Sequence, residues 1–170
     1  MEPEEHFTIG EWVVHRQYGV GQIKKTEEMP IHGKKIECFK VQVRDGAFWF
    51  PTNEVANPRI RPVASQEIIS KVIKNLRRKP GKLDQDKKYW TQQIKEISLD
   101  SDLVIISKLI RDLSAQKALK RLNDTQIRAL SKFKERLLFE WSAITGTVIE
   151  EIRIQFNKLI SESKAKIDFN

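Results

Sequence analysis

The first third of the chain alternates apolar and polar residues with a period of two. Between residues 38 and 50 one set consists of Phe39, Val41, Val43, Phe48 and Phe50, and the other of Cys38, Lys40, Gln42 and Trp49. Such a period places one set in a core and the other on the opposite face of a sheet. Turn residues bound each run, so the segment predicts a small, strongly bent sheet or barrel.

Glycine, proline and aspartate locate the strands of this sheet. We predict a first strand over 11–15 and a second over 22–28, separated by Gly19 and Gly21. A loop at Pro30–Gly33 leads to the third strand, and Asp45-Gly46 is a hairpin signal that pairs the third strand with the fourth. The sheet ends near Pro62.

From Ser65 onward the apolar period becomes helical, and five helices are predicted. The first has Ser65 as its cap and covers Gln66–Arg78, and the second has Asp84 as its cap and runs to about Ile97. The third starts after Asp100-Ser101, and the fourth has Asn123 as its cap. The fifth begins with a capping box of Thr147 and Glu150 and ends near Ser161. The third helix is the most apolar and should be central. Asn123 and Gln126 form a second capping box, and Gly146 should end the fourth helix. The alternative is one long helix through Gly146, at a cost of about 1 kcal/mol relative to alanine.

The pattern therefore predicts an α+β protein, with a β domain over residues 1–64 and a helical domain over 65–170. The alternation directs Trp49 away from the core. Either a later segment covers this ring, or it belongs to a docking surface, where exposed aromatic residues are enriched. A partner that adds a strand to the sheet edge would use the backbone groups there as well.

Four pieces of the β segment carry a resemblance to a known family: Gly10–His15, Tyr18–Gly21, Phe48–Pro51 and Ile60–Val63. In this order and spacing they resemble the RNA-polymerase-interacting domain shared by CarD-family bacterial transcription regulators and transcription-repair coupling factors, over about residues 7–64. A coupling factor would continue into helicase motors, whereas this chain continues into helices, as CarD proteins do. Within the helices Ile110–Leu113, Leu122–Gln126 and the basic run Arg128–Arg136 are also similar to CarD.

The resemblance implies a Tudor-like sheet that docks on the β subunit of RNA polymerase through Met29, Cys38, Lys40 and Trp49. Family members carry arginines on this surface where the present chain has Met29 and Trp49, so a more apolar contact or a different partner surface is expected.

Charge separates the two halves of the chain. Residues 1–64 hold nine Lys/Arg and nine Asp/Glu, and residues 65–170 hold the remaining 22 and 14, so the net charge of +8 lies entirely in the second half. A neutral module followed by a basic one suits a polyanion such as DNA. A lysine-rich helical surface that serves only solubility is the alternative.

Two basic groups are candidates for DNA contact. Lys87, Lys88, Tyr89 and Trp90 lie within one helical turn and mix cations for phosphates with aromatic rings that can stack on bases, and Arg128 and Lys132 share one face of the fourth helix. No pattern for reading specific bases is present, so binding through backbone and shape is expected. The resemblance to CarD implies that the minor groove is contacted. Trp90 has an equally good alternative as a core residue.

CarD proteins insert a tryptophan of the helical domain into the minor groove at the upstream edge of the promoter bubble. When this chain is compared with CarD proteins without a gap, the position of that tryptophan corresponds to Lys87. It falls on Trp90 if the loop near Ser98–Asp102 is shorter here.

Sequence patterns of catalysis or cofactor binding are absent. No phosphate loop or nucleophile elbow occurs, and His6, His15 and His32 with the lone Cys38 lack metal-ligand spacing. His15 fits a packed strand residue rather than a base. The single cysteine, the polar start and the lack of a long apolar run predict a cytoplasmic protein with no membrane partner. The resemblance implies association with the nucleoid, and a monomer is expected.

The sequence thus predicts a non-enzymatic transcription regulator without a cofactor. Its partners would be the RNA polymerase β subunit and promoter DNA, and it would stabilise the open complex. The alternative function is a protein–protein adaptor whose helices bind another protein.

Overall fold

The computed structural model describes residues 6–54, 57–81, 83, 85–99 and 102–168. The chain divides into two compact units, Met1–Val63 and Ala64–Asn170. A five-stranded sheet makes up the first unit and five helices the second, so the predicted α+β class is confirmed. The predicted cap Asp84 and the predicted helix start at Asp100-Ser101 lie outside the described residues.

Five antiparallel strands form the sheet, in the order β4-β3-β2-β1-β5. They are β1 (Trp12–His15), β2 (Gly19–Ile31), β3 (Lys34–Val43), β4 (Gly46–Pro51) and β5 (Ile60–Pro62). Among the described ladders β4 and β5 are the edges, so the sheet is open. It is nevertheless curved, because Phe48 and Phe50 from one edge pack in the same core as Ile60 from the other.

The second strand is longer than predicted at both ends. Pro30 and Ile31 still belong to β2, and the predicted loop reduces to His32 and Gly33, which both have positive φ values (48° and 75°). Two central residues with positive φ are the requirement of a type I′ turn, whose twist matches that of the flanking strands. The tight turn lets β2 and β3 pair along the whole hairpin.

A bulge between Ile23 and Lys25 changes which side chains of β2 face the core. Before the bulge Gly21 and Ile23 are buried, and a Cβ atom on Gly21 would lie 2.7 Å from Val41 Cγ1. After the bulge Lys25, Glu27 and Met29 lie on the face opposite the core. Since an inserted residue shifts the alternation by one, the first half of β2 does not predict the orientation of the second half.

The helices are α1 (Gln66–Arg77), α2 (Lys87–Leu99), α3 (Leu103–Leu119), α4 (Asp124–Thr145) and α5 (Ile149–Lys164). As predicted, α3 is central, because it packs against each of the other four. The capping box of Asn123 and Gln126 is present, and Gly146 ends α4 in the left-handed conformation (φ 70°).

Two predicted helix starts are wrong. Helix α2 begins at Lys87, where the Asp86 carboxylate accepts a hydrogen bond from the Tyr89 backbone N–H at 2.8 Å. Helix α5 begins at Ile149 after Val148, which offers no capping side chain, and Thr147 is not the cap. The existence of a separate fifth helix after a break at Gly146 is confirmed.

Candidate functional site

The face of the sheet opposite the core brings together most of the predicted docking residues. Lys40 lies directly across from Trp49 in the β3–β4 ladder, and Glu27 lies across from Cys38 in the β2–β3 ladder. Met29 follows two positions after Glu27 and therefore lies on the same face. We call this surface, made of Lys25, Glu27, Met29, Lys40 and Trp49, the outer face.

Trp49 is held in place by charged neighbours while much of its ring stays exposed. Its indole Nε1 donates a hydrogen bond to Glu27 Oε1 at 2.5 Å, and Lys40 Nζ lies 5.5 Å from the ring centroid. The ring remains 39% exposed. The alternative of a covering segment finds no support among the described contacts of Trp49, and a fixed, partly exposed indole is the geometry of an interface anchor.

Glu27 is the centre of this arrangement, and the sequence did not single it out. Its other oxygen, Oε2, pairs with Lys25 Nζ at 2.8 Å. The hydrogen bonds from Lys25 and then from Trp49 lower the pKa of Glu27 below its ordinary value. The bulge at Ile23–Lys25 brings Lys25 and Glu27 to the outer face, which explains why the period of the earlier residues could not find them.

Cys38 is a correction to the predicted docking set. Its side chain is fully buried, and burial raises the pKa of the thiol. It therefore lies beneath the outer face and does not offer a contact surface. Met29 and Lys40 are half-buried and Trp49 is exposed, so these three predicted residues remain accessible.

The β2–β3 hairpin extends beyond its neighbour strand. Pairing of β4 with β3 stops at Cys38 and Pro51, whereas β3 continues back to Lys34. In the described ladders the backbone of residues 34–36 thus has an edge without a strand beside it. Such an edge can accept a strand from a partner.

His15 is a packed strand residue, as predicted. Its ring is 7% exposed and lies against Tyr18 and Phe48, with centroid distances of 4.6 and 4.7 Å. The Nδ1 atom accepts hydrogen bonds from the backbone N–H groups of Gln17 and Tyr18. Burial, with a smaller effect of the Arg59 charge, lowers the pKa of His15.

On the helical unit, the predicted DNA-binding cations lie at the surface. Lys87 and Lys88 are exposed in the first turn of α2, and Arg128 and Lys132 are exposed one turn apart on α4. Tyr89 is half-buried and meets the Trp90 ring edge-to-face at a centroid distance of 5.2 Å.

Trp90 is the second correction. Its side chain is 2% exposed and belongs to the helical core, so the structure favours the core alternative over an exposed wedge. The reason is that α2 is poor in large apolar residues, and Trp90 and Ile97 are the described residues that it buries in this core. The indole Nε1 is buried without a hydrogen-bond partner among the described residues.

Part of the basic run on α4 is used for packing against α5. The Lys134 ammonium lies 5.1 Å from the Phe156 ring centroid, and Glu135 forms a bidentate pair with Arg153 at 2.8 and 3.0 Å. Of that run, Arg128 and Lys132 are the basic members whose side chains are exposed.

Within the described ranges, no group of three or more His, Cys, Asp or Glu residues is arranged to hold a metal ion. None of the helices described is both long and apolar enough to span a membrane.

A small antiparallel sheet with a hydrogen-bonded, partly exposed tryptophan and an uncovered hairpin edge has features that protein-docking modules use. More particularly, residues 7–64 match the family described as CarD-like/TRCF RID domain. The predicted resemblance of this segment is thereby confirmed, and the sheet unit is a protein-interaction domain of the kind that contacts RNA polymerase in transcription. A comparison with curated proteins found no match.

Proposed function

We propose that this protein is a CarD-type transcription regulator that docks on the β subunit of RNA polymerase and stabilises the promoter open complex. In this proposal the helical unit contacts promoter DNA at the upstream edge of the bubble. The observation that carries the proposal is the RID-family match of residues 7–64, joined in one chain to a helical unit with all of the net charge. The protein acts as a cytoplasmic, nucleoid-associated monomer.

The mechanism requires no catalytic group. Docking through the outer face raises the local concentration of the helical unit at the promoter, so weak DNA contacts suffice. The helical unit shifts the equilibrium only if it binds open DNA better than closed DNA. A difference of about 1.4 kcal/mol between the two states changes their ratio tenfold.

The cations best placed for this contact are Lys87 and Lys88 on α2 and Arg128 and Lys132 on α4, since all four are exposed. They supply charge for phosphates and do not select a sequence. With Trp90 buried, the aromatic group of the first cluster that is partly accessible is Tyr89.

Docking is tested by Trp49→Ala, measured as affinity for core RNA polymerase. We expect a loss of about tenfold or more, because truncating an aromatic hot-spot residue costs about 2 kcal/mol or more. Trp12→Ala is the matched control, since Trp12 is also 39% exposed on the same unit. If Trp49→Ala and Trp12→Ala bind core RNA polymerase with equal affinity, Trp49 is not an anchor.

The DNA contact is tested by open-complex lifetime with Lys87→Glu/Lys88→Glu and with Arg128→Glu/Lys132→Glu. We expect a shorter lifetime with unchanged polymerase affinity, because reversing a cation opposes the phosphate backbone. Lys71→Glu/Lys74→Glu makes the same change in charge at exposed positions of α1 and should have little effect.

A protein–protein adaptor is the competing function. DNA affinity of the chain, titrated with salt, separates the two: a regulator should lose affinity steeply, with a log–log slope of about −0.9 for each phosphate contacted. An adaptor would not bind DNA at any salt concentration.

A further inference from the structure

The Trp49 side chain spans a neighbouring strand to reach its hydrogen-bond partner. Trp49 lies on β4 and Glu27 on β2, and β3 lies between these two strands in the sheet. Adjacent strands are about 4.8 Å apart, so the two side chains together bridge about 10 Å. The hydrogen bond from Trp49 Nε1 to Glu27 Oε1 closes this span. The indole ring is therefore directed across β3 toward β2.

Two contacts of different kinds act on the ring. Lys40 lies across from Trp49 in the β3–β4 ladder, and its ammonium is 5.5 Å from the ring centroid. An ammonium over a ring attracts the face of the ring but leaves the ring free to rotate in its own plane. A hydrogen bond depends on direction, so the bond to Glu27 determines how the ring is turned.

The Glu27 carboxylate is itself held by the same surface. Its Oε2 atom pairs with Lys25 Nζ at 2.8 Å, while its Oε1 atom accepts from the Trp49 indole. Each oxygen thus points at a neighbour on the outer face. This arrangement favours a role of Glu27 within the outer face over a direct contact with a partner.

Stability of the fold does not account for this arrangement. The Lys25 and Glu27 side chains are 55% and 30% exposed, and ion pairs between exposed side chains contribute little to stability. Binding gives a better reason, because a side chain that becomes ordered only in the complex lowers the affinity. A ring that is already ordered in the free protein avoids this loss.

We propose that Glu27 is a positioning residue for docking. It holds the Trp49 indole, before the partner arrives, in the orientation that RNA polymerase binds, and it does not contact the polymerase itself. This inference rests on the proposed function and deepens it, because it names the group that prepares the docking anchor.

The first measurement is the affinity of the full chain for core RNA polymerase. Glu27→Ala should weaken binding about fivefold, the factor that corresponds to about 1 kcal/mol, which is within the cost of ordering one side chain at an interface. Glu28→Ala is the matched control, because it removes the same charge from an exposed position on the opposite face of β2. Glu27→Gln keeps an oxygen that accepts from the indole and should restore most of the affinity.

A double-mutant cycle separates positioning from direct contact. In a chain that already carries Trp49→Ala, the further change Glu27→Ala should alter the affinity less than about twofold, because no ring is left to position. If Glu27→Ala instead causes the same loss with and without Trp49, Glu27 contacts the polymerase directly and the proposal is wrong.

The free protein provides an independent readout through the indole N–H resonance of Trp49, which Trp49→Phe assigns. In Glu27→Ala this resonance should move upfield, and its heteronuclear NOE should fall as the ring becomes mobile. The Trp12 indole, which is equally exposed on the same unit, should keep its resonance and NOE. An unchanged Trp49 signal would show that Glu27 does not hold the ring.

The remaining outcomes separate this inference from the proposed function. If Trp49→Ala itself leaves polymerase affinity unchanged, docking through the outer face is wrong. If Trp49→Ala weakens binding but Glu27→Ala matches Glu28→Ala, only the positioning role is wrong. If Glu27→Ala lowers the urea midpoint of the sheet unit well below that of Glu28→Ala, Glu27 is a structural contact between β2 and β4, which also overturns the inference.

Discussion

His15 illustrates how one buried side chain makes the sheet unit sensitive to pH. Its Nδ1 atom caps the turn after β1 by accepting from two backbone N–H groups, which an imidazolium could not do. The ring is also enclosed by Tyr18 and Phe48. The folded state therefore prefers the neutral imidazole.

The expected consequence is a loss of stability in mild acid. The pKa of His15 is lowered from 6.5 in the folded state, so the unfolded chain binds the proton first as the pH falls. The stability that neutral His15 contributes to the sheet unit is therefore fully present above pH 6.5. It is lost as the pH falls from 6.5 through the lower, folded-state value. Urea unfolding of the sheet unit from pH 7.5 downward measures the effect.

His15→Gln removes the titrating group and serves as the comparison. The variant should be less stable at pH 7.5, because the two amide contacts are disturbed, but its stability should depend less on pH below 6.5. An identical pH dependence in both proteins would assign the effect to other groups.

Single residues also mark the limit of sequence reasoning at the two candidate surfaces. The alternation around Phe48 and Phe50 correctly directs Trp49 outward, because strand geometry couples neighbouring side chains. The same alternation places Cys38 on the outer side without revealing that it is fully buried there. Cys38 pairs with Glu27 of β2 and Pro51 of β4, and the local period contains no information about such neighbours.

At the helix termini one predicted capping box is present in the structure and another is absent. Asn123 accepts from the Gln126 backbone N–H at 2.9 Å, and the Gln126 side chain accepts from the Asn123 backbone N–H at 3.0 Å. Thr147 and Glu150 have the same spacing, yet α5 begins without a capping side chain. Spacing alone therefore does not determine a cap, because the chain must also approach the helix in the capping conformation.

We expect Asn123→Ala to lower the free energy of unfolding of the helical unit by about 1 kcal/mol, since it leaves a backbone N–H without its acceptor. Thr147→Ala should have a much smaller effect. Urea denaturation followed by circular dichroism at 222 nm gives both values. Equal losses would mean that the capping box contributes nothing beyond local propensity.

At the level of the whole molecule, each unit has a core of its own. The sheet core consists of residues between Val13 and Ile60, and the helical core of residues between Ile69 and Ile160. Apolar burial is the dominant stabilising contribution to folding, so each unit contains the main part of its own stability.

We therefore predict that fragments 1–63 and 64–170 fold separately. The first should give a β-type circular dichroism spectrum and a cooperative but marginal unfolding transition, since a unit of about 60 residues buries a limited fraction of its surface. The second should be helical and should keep the blue-shifted emission of the buried Trp90 and Trp141. An unfolded helical fragment would show that its core depends on the sheet unit.

The period of the apolar residues and the positions of turn residues along the chain were sufficient to predict the element types, the β3–β4 hairpin, the break at Gly146 and the central place of α3. They were sufficient because strand alternation, helical stripes and left-handed glycine are properties of neighbouring residues. The charge division between the halves is likewise readable directly from residue counts.

The tertiary fold was needed to place Trp90 and Glu27. Trp90 lies in a short amphipathic segment that suits either surface or core, and its burial depends on how α2 packs against α3 and α4. Glu27 reaches Trp49 across 22 positions of chain because a bulge redirects β2. Contacts between distant segments depend on how whole elements pack, and no local pattern records that arrangement.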